Sequence, residues 1–240
     1  MISNNESHTS PRQRITIVVV AVLMLVSTCA LYVGAVLSAG KNNDVTVGAG
    51  SQLSPEEQKR FDELYAEYSK QIDDQASELS KQYFDQFVSY KSRVGSFNKA
   101  DANALKEATY EDLVVGTGEE VTSKDFVDYS AYYIGWVADD GGRVFDSSLD
   151  NASNPTKLLS PLQGSPSMVE GWKQGIVGMK IGGIREITMP SAIAYGSQQQ
   201  GTIPADSPLK FVVMLIPPVD PIDPNEELLK LYEKMYGIAQ

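Results

Sequence analysis

The residues in this chain that could do chemistry are mostly aromatic. Tyr133, Phe145, Trp172, Tyr195 and Phe211 fall within one stretch, in which an acid, Asp146, directly follows Phe145. The groups needed for nucleophilic or metal chemistry lie elsewhere. The chain has one cysteine, Cys29, and one histidine, His8, both near its start. A lone cysteine allows no intramolecular disulfide, no Cys/His zinc site can be assembled, and Ser-His-Asp catalysis is excluded from the folded part. There is no G-x-G-x-x-G or Walker-type phosphate loop; the glycines between 178 and 183 lead into a strand-like run rather than a helix. Asp139, Asp140, Asp146 and Asp150 lack the spacing of a calcium loop. Taken singly, each remaining candidate has a structural reading. Phe145 and Phe211 sit in strand-like runs and fit a core. Asp146 before Ser147-Ser148 could shape a turn, and Tyr195-Gly196 could close a loop.

Bringing these residues together is the work of a small set of elements. Met168-Val169-Glu170-Gly171-Trp172-Lys173-Gln174-Gly175-Ile176 reads as a short helix carrying one large aromatic. Strand-like runs flank it, at 127–137 and 143–147 before and at 184–190 and 209–216 after. A lone short helix against an antiparallel sheet must bury its apolar face on that sheet, and Trp172 is the largest side chain available to fill the gap. The period of two in Val127, Tyr129, Ala131 and Tyr133 puts all four on one face. Leu113-Val114-Val115 before Gly116-Thr117-Gly118 opens the domain as a strand and turn, and Pro217-Pro218 ends it. The predicted class is α+β, with an antiparallel sheet wrapped around a short helix over residues 111–218.

Five pieces of this stretch occur in an order that carries a resemblance. They are Tyr132-Tyr133-Ile134-Gly135-Trp136-Val137, then Gly141-Gly142-Arg143-Val144-Phe145-Asp146-Ser147-Ser148, then Val169-Glu170-Gly171-Trp172, then Ala194-Tyr195-Gly196, and last Ile203-Pro204 followed by Leu209-Lys210-Phe211. As an ordered set they resemble the FKBP family of peptidyl-prolyl isomerases. The resemblance implies a five- or six-stranded sheet around a short helix. It also implies a pocket of Tyr133, Phe145, Asp146, Val169, Trp172, Tyr195, Ile203 and Phe211, with the indole as its floor. Trp172 and Phe211 would then seat a proline ring, with Tyr133 and Phe145 as walls. The backbone amide of Val169 and the hydroxyl of Tyr195 would hold substrate carbonyls, and Asp146 would orient Tyr133 or polarise the site. Tyr133, Asp146 and Tyr195 are thus the expected catalytic residues, and Phe145, Val169, Trp172, Ile203 and Phe211 the substrate-binding ones. No metal or cofactor is implied. Two departures bear on substrate preference. Leu158 or Leu159 stands where the family usually has a phenylalanine, and the Ser197-Gln198-Gln199-Gln200-Gly201 loop is polar and short.

Outside that domain the chain changes character. Residues 1–14 form a polar tail ending with Arg12 and Arg14. Residues 15–40 hold no charged side chain, a run about 39 Å long as a helix, enough to cross a ~30 Å hydrocarbon core. Basic residues before the run place the tail in the cytosol and the rest of the chain on the outer side of a cell membrane, as a single-pass protein; cleavage after Ala39 is the alternative. Residues 41–53 read as a linker. Ser54-Pro55-Glu56-Glu57 then starts a long amphipathic helix within 54–98, with its helical extent at 55–94. Phe61, Ile72, Tyr83 and Val94 share one column of an eleven-residue repeat. This helix either lies partly against the following domain as a stalk or pairs with a second copy into a homodimer. Residues 219–240 hold a last helix expected to begin at Asp223-Pro224-Asn225-Glu226.

Composition narrows the partners. With 240 residues, 42% hydrophobic, and a net charge of −11, the chain has room for one ordinary domain plus extras. The acidic balance argues against a nucleic-acid partner held by phosphate contacts, which need clustered Lys and Arg. The expected function is that of a membrane-anchored bacterial prolyl isomerase acting on proline-containing polypeptides outside the cytosol, where slow Xaa-Pro steps can limit folding of exported proteins. The rivals are a non-catalytic module that binds proline segments while the long helix acts as chaperone, and a scaffold that serves only assembly.

Overall fold

The computed structural model describes residues 53–93, 97–138 and 142–237. The expected tail, membrane run and most of the linker (1–52) lie outside the described residues, as does Val94 of the predicted helical column. Among the described residues no helix is long and apolar enough to cross a membrane. The described residues divide into two compact units, one holding those up to Lys70 and from Ile222 onward, the other those within Gln71–Pro221.

Helix α1, Pro55–Phe87, contributes to both units. Its start is the predicted capping box. Ser54 Oγ accepts from the Glu57 N–H at 3.3 Å, and the Glu57 carboxylate accepts from the Ser54 N–H at 2.8 Å. The helix ends earlier than expected. At Val88-Ser89 it tightens into a 3-10 turn, Val88–Ser92, which closes with the Arg93 N–H on the Tyr90 carbonyl. A β-branched residue followed by serine supports the helix poorly, and the aromatic column alone does not carry it to 94.

In the first unit, residues 55–70 face a final helix, Glu226–Tyr236. Its N-cap is Asn225, whose Oδ1 accepts from the Leu228 N–H at 2.8 Å. The expected cap at Asp223 is therefore displaced by two residues, with Glu226 and Glu227 filling the first turn where the helix dipole favours acids. Arg60 makes a two-pronged pair with Glu227, and Lys234 meets Glu57 at 2.6 Å. Lys234 and the Ser54 N–H together hold the Glu57 carboxyl down at about 2.

The second unit is the predicted α+β domain. After a short helix α2, Lys99–Asn103, come β1 (Thr109–Val114), β2 (Ser130–Val137), β3 (Arg143–Ser147) and β4 (Leu162–Gln163). Helix α3 (Glu170–Ile176), β5 (Ile184–Met189) and β6 (Leu209–Ile216) follow. The strands form one antiparallel sheet in the order β1-β5-β6-β2-β3, with the two-residue β4, absent from the sequence reading, pairing to β2. Both faces of this sheet are covered, so β6 is buried at all eight positions. Leu209, Phe211, Val213 and Leu215 face a core shared with Trp172 and Ile176 of α3. Val212, Met214 and Ile216 face a second core built with Tyr132, Ile134 and Trp136 of β2 and Phe87, Leu79 and Tyr83 of α1. Tyr129, Ala131 and Tyr133 take the helix side as the alternation predicts, while Val127 precedes the strand and is 40% exposed.

Two devices fix α3, which carries the indole. Gly171 and Gly175 lie one turn apart against β5. A Cβ on them would fall 2.6 Å from Met189 Sδ and 2.4 Å from Ile187 Cγ2, so only glycine lets the helix approach so closely. At its other end the buried Arg185 guanidinium donates to the carbonyls of Gly175 and Val177, both at 2.9 Å, and grips Asp112 of β1 at 2.6 and 3.1 Å. That one side chain satisfies orphan carbonyls at the helix terminus and ties them to the edge strand.

Candidate functional site

The floor of the site is Trp172, 3% exposed. Its Nε1–H donates to the Tyr129 hydroxyl at 3.1 Å, so the indole edge is satisfied from inside the fold and the ring is held in one orientation. Tyr133 meets the indole edge-on at 6.0 Å and 88°, and Phe211 meets it at 5.4 Å and 85°. Phe145 stands perpendicular to Phe211 at 5.7 Å. Tyr133 and Phe211 are tilted at 58° and 6.3 Å, so the four aromatics form one contiguous cluster of ring contacts, the cup of the site.

Strict alternation along β3 would send Phe145 and Asp146 to opposite faces. A register shift resolves this. Gly135 pairs with Asp146 and Trp136 with Val144, leaving Phe145 as the extra residue of a bulge. The bulge re-aims the strand so that the Phe145 ring reaches Phe211 while the Asp146 carboxylate reaches Tyr133. The Tyr133 hydroxyl donates to Asp146 Oδ2 at 2.5 Å, and the other carboxylate oxygen accepts from the Ser147 N–H at 2.8 Å. Ser148 locks the same corner: its N–H donates to the Tyr133 carbonyl at 2.8 Å and its Oγ accepts from the Tyr133 N–H at 3.0 Å.

Burial, then the hydrogen bond and charge of Asp146, push the Tyr133 phenol far above its ordinary value. Tyr133 is therefore a neutral donor throughout the physiological range. Tyr195, 37% exposed, is also pushed up, by burial first and by the Asp146 charge second, which places it in the field of the same carboxylate. Val169 is the N-cap of α3, and its carbonyl receives the Trp172 and Lys173 amides at 3.0 and 3.2 Å. Its side chain and that of Ile203 pack on the cluster that contains Trp172 and Phe211.

All eight predicted site residues thus converge on one side of the sheet, five of them through direct ring or side-chain hydrogen-bond contacts. Sequence reasoning missed Tyr129, Gly135 and Ser148. Tyr129 had a signal, because it shares the face of Tyr133, whereas the roles of Gly135 and Ser148 depend on the bulge. The structure also separates the two leucines. Leu158 is fully buried in the core on the opposite face, its N–H bonded to Ser80 Oγ at 2.8 Å. Leu159 is 43% exposed and donates its N–H to the Ser148 carbonyl, beside the Tyr133–Asp146 corner. A surface cavity of about 270 Å³ lined by Ser77, Ser80, Lys81 and Thr156 lies apart from the aromatic cup.

An apolar cup with one neutral phenol donor and one carboxylate at its rim can bind a small apolar ring and orient polar atoms beside it. Residues 118–216 match the family model described as FKBP-type peptidyl-prolyl cis-trans isomerase. An FK506-binding protein of Neisseria meningitidis serogroup A is 36% identical over 124 residues, covering 51% of this chain and 94% of the relative. A probable FK506-binding protein of Corynebacterium glutamicum is 34% identical over 113 residues, covering 47% and 88%. FK506-binding protein 4 of Chaetomium thermophilum is 36% identical over 112 residues, covering 47% of this chain but 21% of the relative. The chain thus spans about a fifth of the length of that longer fungal protein.

Proposed function

This chain belongs to the FKBP-type peptidyl-prolyl cis-trans isomerase family, and we propose that its aromatic cup accelerates rotation about Xaa-Pro bonds in polypeptides exported across a membrane. The observation that carries this is the cup of Tyr133, Phe145, Trp172 and Phe211 with the Tyr133–Asp146 hydrogen bond at its rim. An amide resists rotation by about 18–20 kcal/mol because the planar form is resonance-stabilised. The twisted amide has lost that resonance and part of its charge separation. A dry aromatic cup stabilises it relative to the planar, more polar ground state, and no nucleophile takes part. Phe211 and Trp172 seat the pyrrolidine ring. The Val169 amide and the Tyr195 hydroxyl hold carbonyls of the substrate, and Asp146 fixes the Tyr133 phenol. Lowering the barrier by about 5 kcal/mol corresponds to a few thousandfold.

The anchoring part of the proposal rests on the uncharged run 15–40 and the basic residues before it. It places the isomerase domain outside the cell membrane, in a bacterial setting. We extend the proposal to a second copy bound through residues 55–94, to which the stacked, half-exposed Phe61 and Tyr65 rings, 6.0 Å apart, would contribute apolar surface. Leu64 and Tyr68 of the same helix are already buried.

The test is cis-to-trans isomerisation of a short Xaa-Pro peptide by the purified chain, beside a Trp172→Ala control shown to be folded. Acceleration that vanishes in the control supports the reading. A folded wild-type chain with no acceleration on any such peptide overturns it in favour of a module that binds proline segments without turnover.

A further inference from the structure

Resting on the isomerase reading, we propose that Arg143 is a positioning residue that sets the width of the substrate opening by bracing the loop 195–206 against β3. The site has two walls from different parts of the chain. One is β3, which supplies Phe145 and Asp146; the other is the loop, which supplies Tyr195 and Ile203. The loop is a small closed unit. Its base is joined by the Asp206 N–H on the Gly196 carbonyl at 2.9 Å, and its far end by a reciprocal pair between Gln200 and Ile203 at 3.0 and 2.9 Å. These bonds define the loop's own shape but do not connect it to the opposite wall. Arg143 does. From the first position of β3 its Nη2 donates to the Thr202 carbonyl at 2.8 Å.

The chemistry suits the role. A guanidinium carries a permanent charge and a rigid fork of donors, so its bond to a carbonyl keeps its geometry better than one from a flexible ammonium. Thr202 directly precedes Ile203, which is 4% exposed and packed against the cluster containing Trp172 and Phe211. Holding the Thr202 carbonyl therefore fixes the backbone on which the Ile203 wall stands. The bond is made by backbone on the loop side, so the polar Ser197–Gly201 sequence can carry it unchanged. The Arg143–Thr202 bond is made on loop backbone, outside the Tyr133–Asp146 pair. Its loss should weaken substrate holding more than the chemical step.

The test compares Arg143→Ala and Arg143→Lys in the full chain. A series of Xaa-Pro peptides differing only in the residue before proline gives KM and kcat separately. Amide hydrogen exchange at Thr202 and Ile203 gives a readout that needs no activity. In Arg143→Ala we expect KM to rise by about three- to tenfold with kcat within about twofold. Discrimination between small and bulky residues before proline should shrink, and exchange at Thr202 and Ile203 should accelerate. Arg143→Lys should recover part of each change. If Arg143→Ala fails to fold, Arg143→Gln is read in the same way. Unchanged exchange at Thr202 and Ile203, or a loss confined to kcat, overturns the proposal. A wild-type chain without isomerase activity would sink the functional reading instead, and the exchange data would still decide whether Arg143 braces the loop.

Discussion

Gly135 on β2 leaves the space that the Phe145 ring occupies: a Cβ at Gly135 would lie 2.7 Å from Phe145 Cζ and 2.9 Å from Phe211 Cε1. The bulge that turns Phe145 inward and the missing side chain opposite it are two halves of one arrangement. Gly135→Ala should therefore act on the site before it acts on the fold. Overpacking of this kind costs about 1–3 kcal/mol and forces rings off their rotamers. The expected outcome is a folded domain with kcat/KM down at least about tenfold, with an altered aromatic near-UV circular dichroism signal. Full activity in the variant would mean that the ring positions tolerate displacement and that the cup is less constrained than its geometry indicates.

Arg185 concerns the indole floor from behind. Its guanidinium is buried and holds the end of α3 to Asp112, with the Tyr110 ring stacked 3.9 Å from its central carbon. Arg185→Ala leaves the Gly175 and Val177 carbonyls and one prong-accepting carboxylate without their donor. Asp112 is 39% exposed and is left in water, so a loss of about 1–3 kcal/mol, from the stranded carbonyls, is expected in denaturant unfolding. Arg185→Lys should recover only part of it, because an ammonium cannot serve both carbonyls and the carboxylate at once. A change below about 1 kcal/mol in the alanine variant would show that α3 is held by the Gly171 and Gly175 contact alone.

How much of this was legible in the sequence follows from which interactions are local. The period of two marked Tyr129, Ala131 and Tyr133 as one face, and β6 falls at the predicted 209–216 because a long apolar run buried on both faces still reads as a strand. The Ser54 cap was readable since its partner, Glu57, is three residues away. What depended on register was not readable. Alternation assigns Phe145 and Asp146 to opposite faces, and only the pairing of Gly135 with Asp146 reveals the bulge that reconciles them. Leu158 and Leu159 are equivalent in type, and only the tertiary packing separates Leu158, buried in the second core, from Leu159, 43% exposed. The end of α1 at Phe87 likewise answered to local backbone preference against an apolar column that continued to Val94.

The buried phenols set an alkaline limit. Burial raises Tyr129, Tyr132 and Tyr133 above their ordinary value, with Asp146 adding to the shift at Tyr133. A group whose folded pKa is raised stabilises the fold fully below its unfolded pKa and loses that contribution as pH rises through the folded value. Stability should therefore be insensitive to these groups up to about pH 10 and fall above it. Isomerase activity should show no decline from Tyr133 ionisation between about pH 6 and pH 9. Absorbance of tyrosinate against pH, with unfolding followed in parallel, checks this. Three phenols that ionise only together with unfolding fit; ionisation of all tyrosines near pH 10 in a folded chain contradicts the burial.

The Tyr133–Asp146 bond can be separated from the roles of its partners by a double-mutant cycle. Tyr133→Phe removes the donor and keeps the ring against Trp172, while Asp146→Asn keeps the shape and removes the charge. Asp146 is exposed, so neither change strands a buried ion, and both variants should fold with stability changed by less than about 1.5 kcal/mol. Each should lower kcat/KM, by about tenfold, because one removes the phenol from the rim and the other leaves it only an uncharged, weaker acceptor. If Asp146 acts by orienting Tyr133, the double variant should be no worse than the weaker single one, a coupling energy of about 1–2 kcal/mol. If Asp146 instead polarises the bound amide directly, the two losses should add. The cycle thus distinguishes the two roles that the geometry leaves to the carboxylate, with kcat/KM on one peptide as its only measurement.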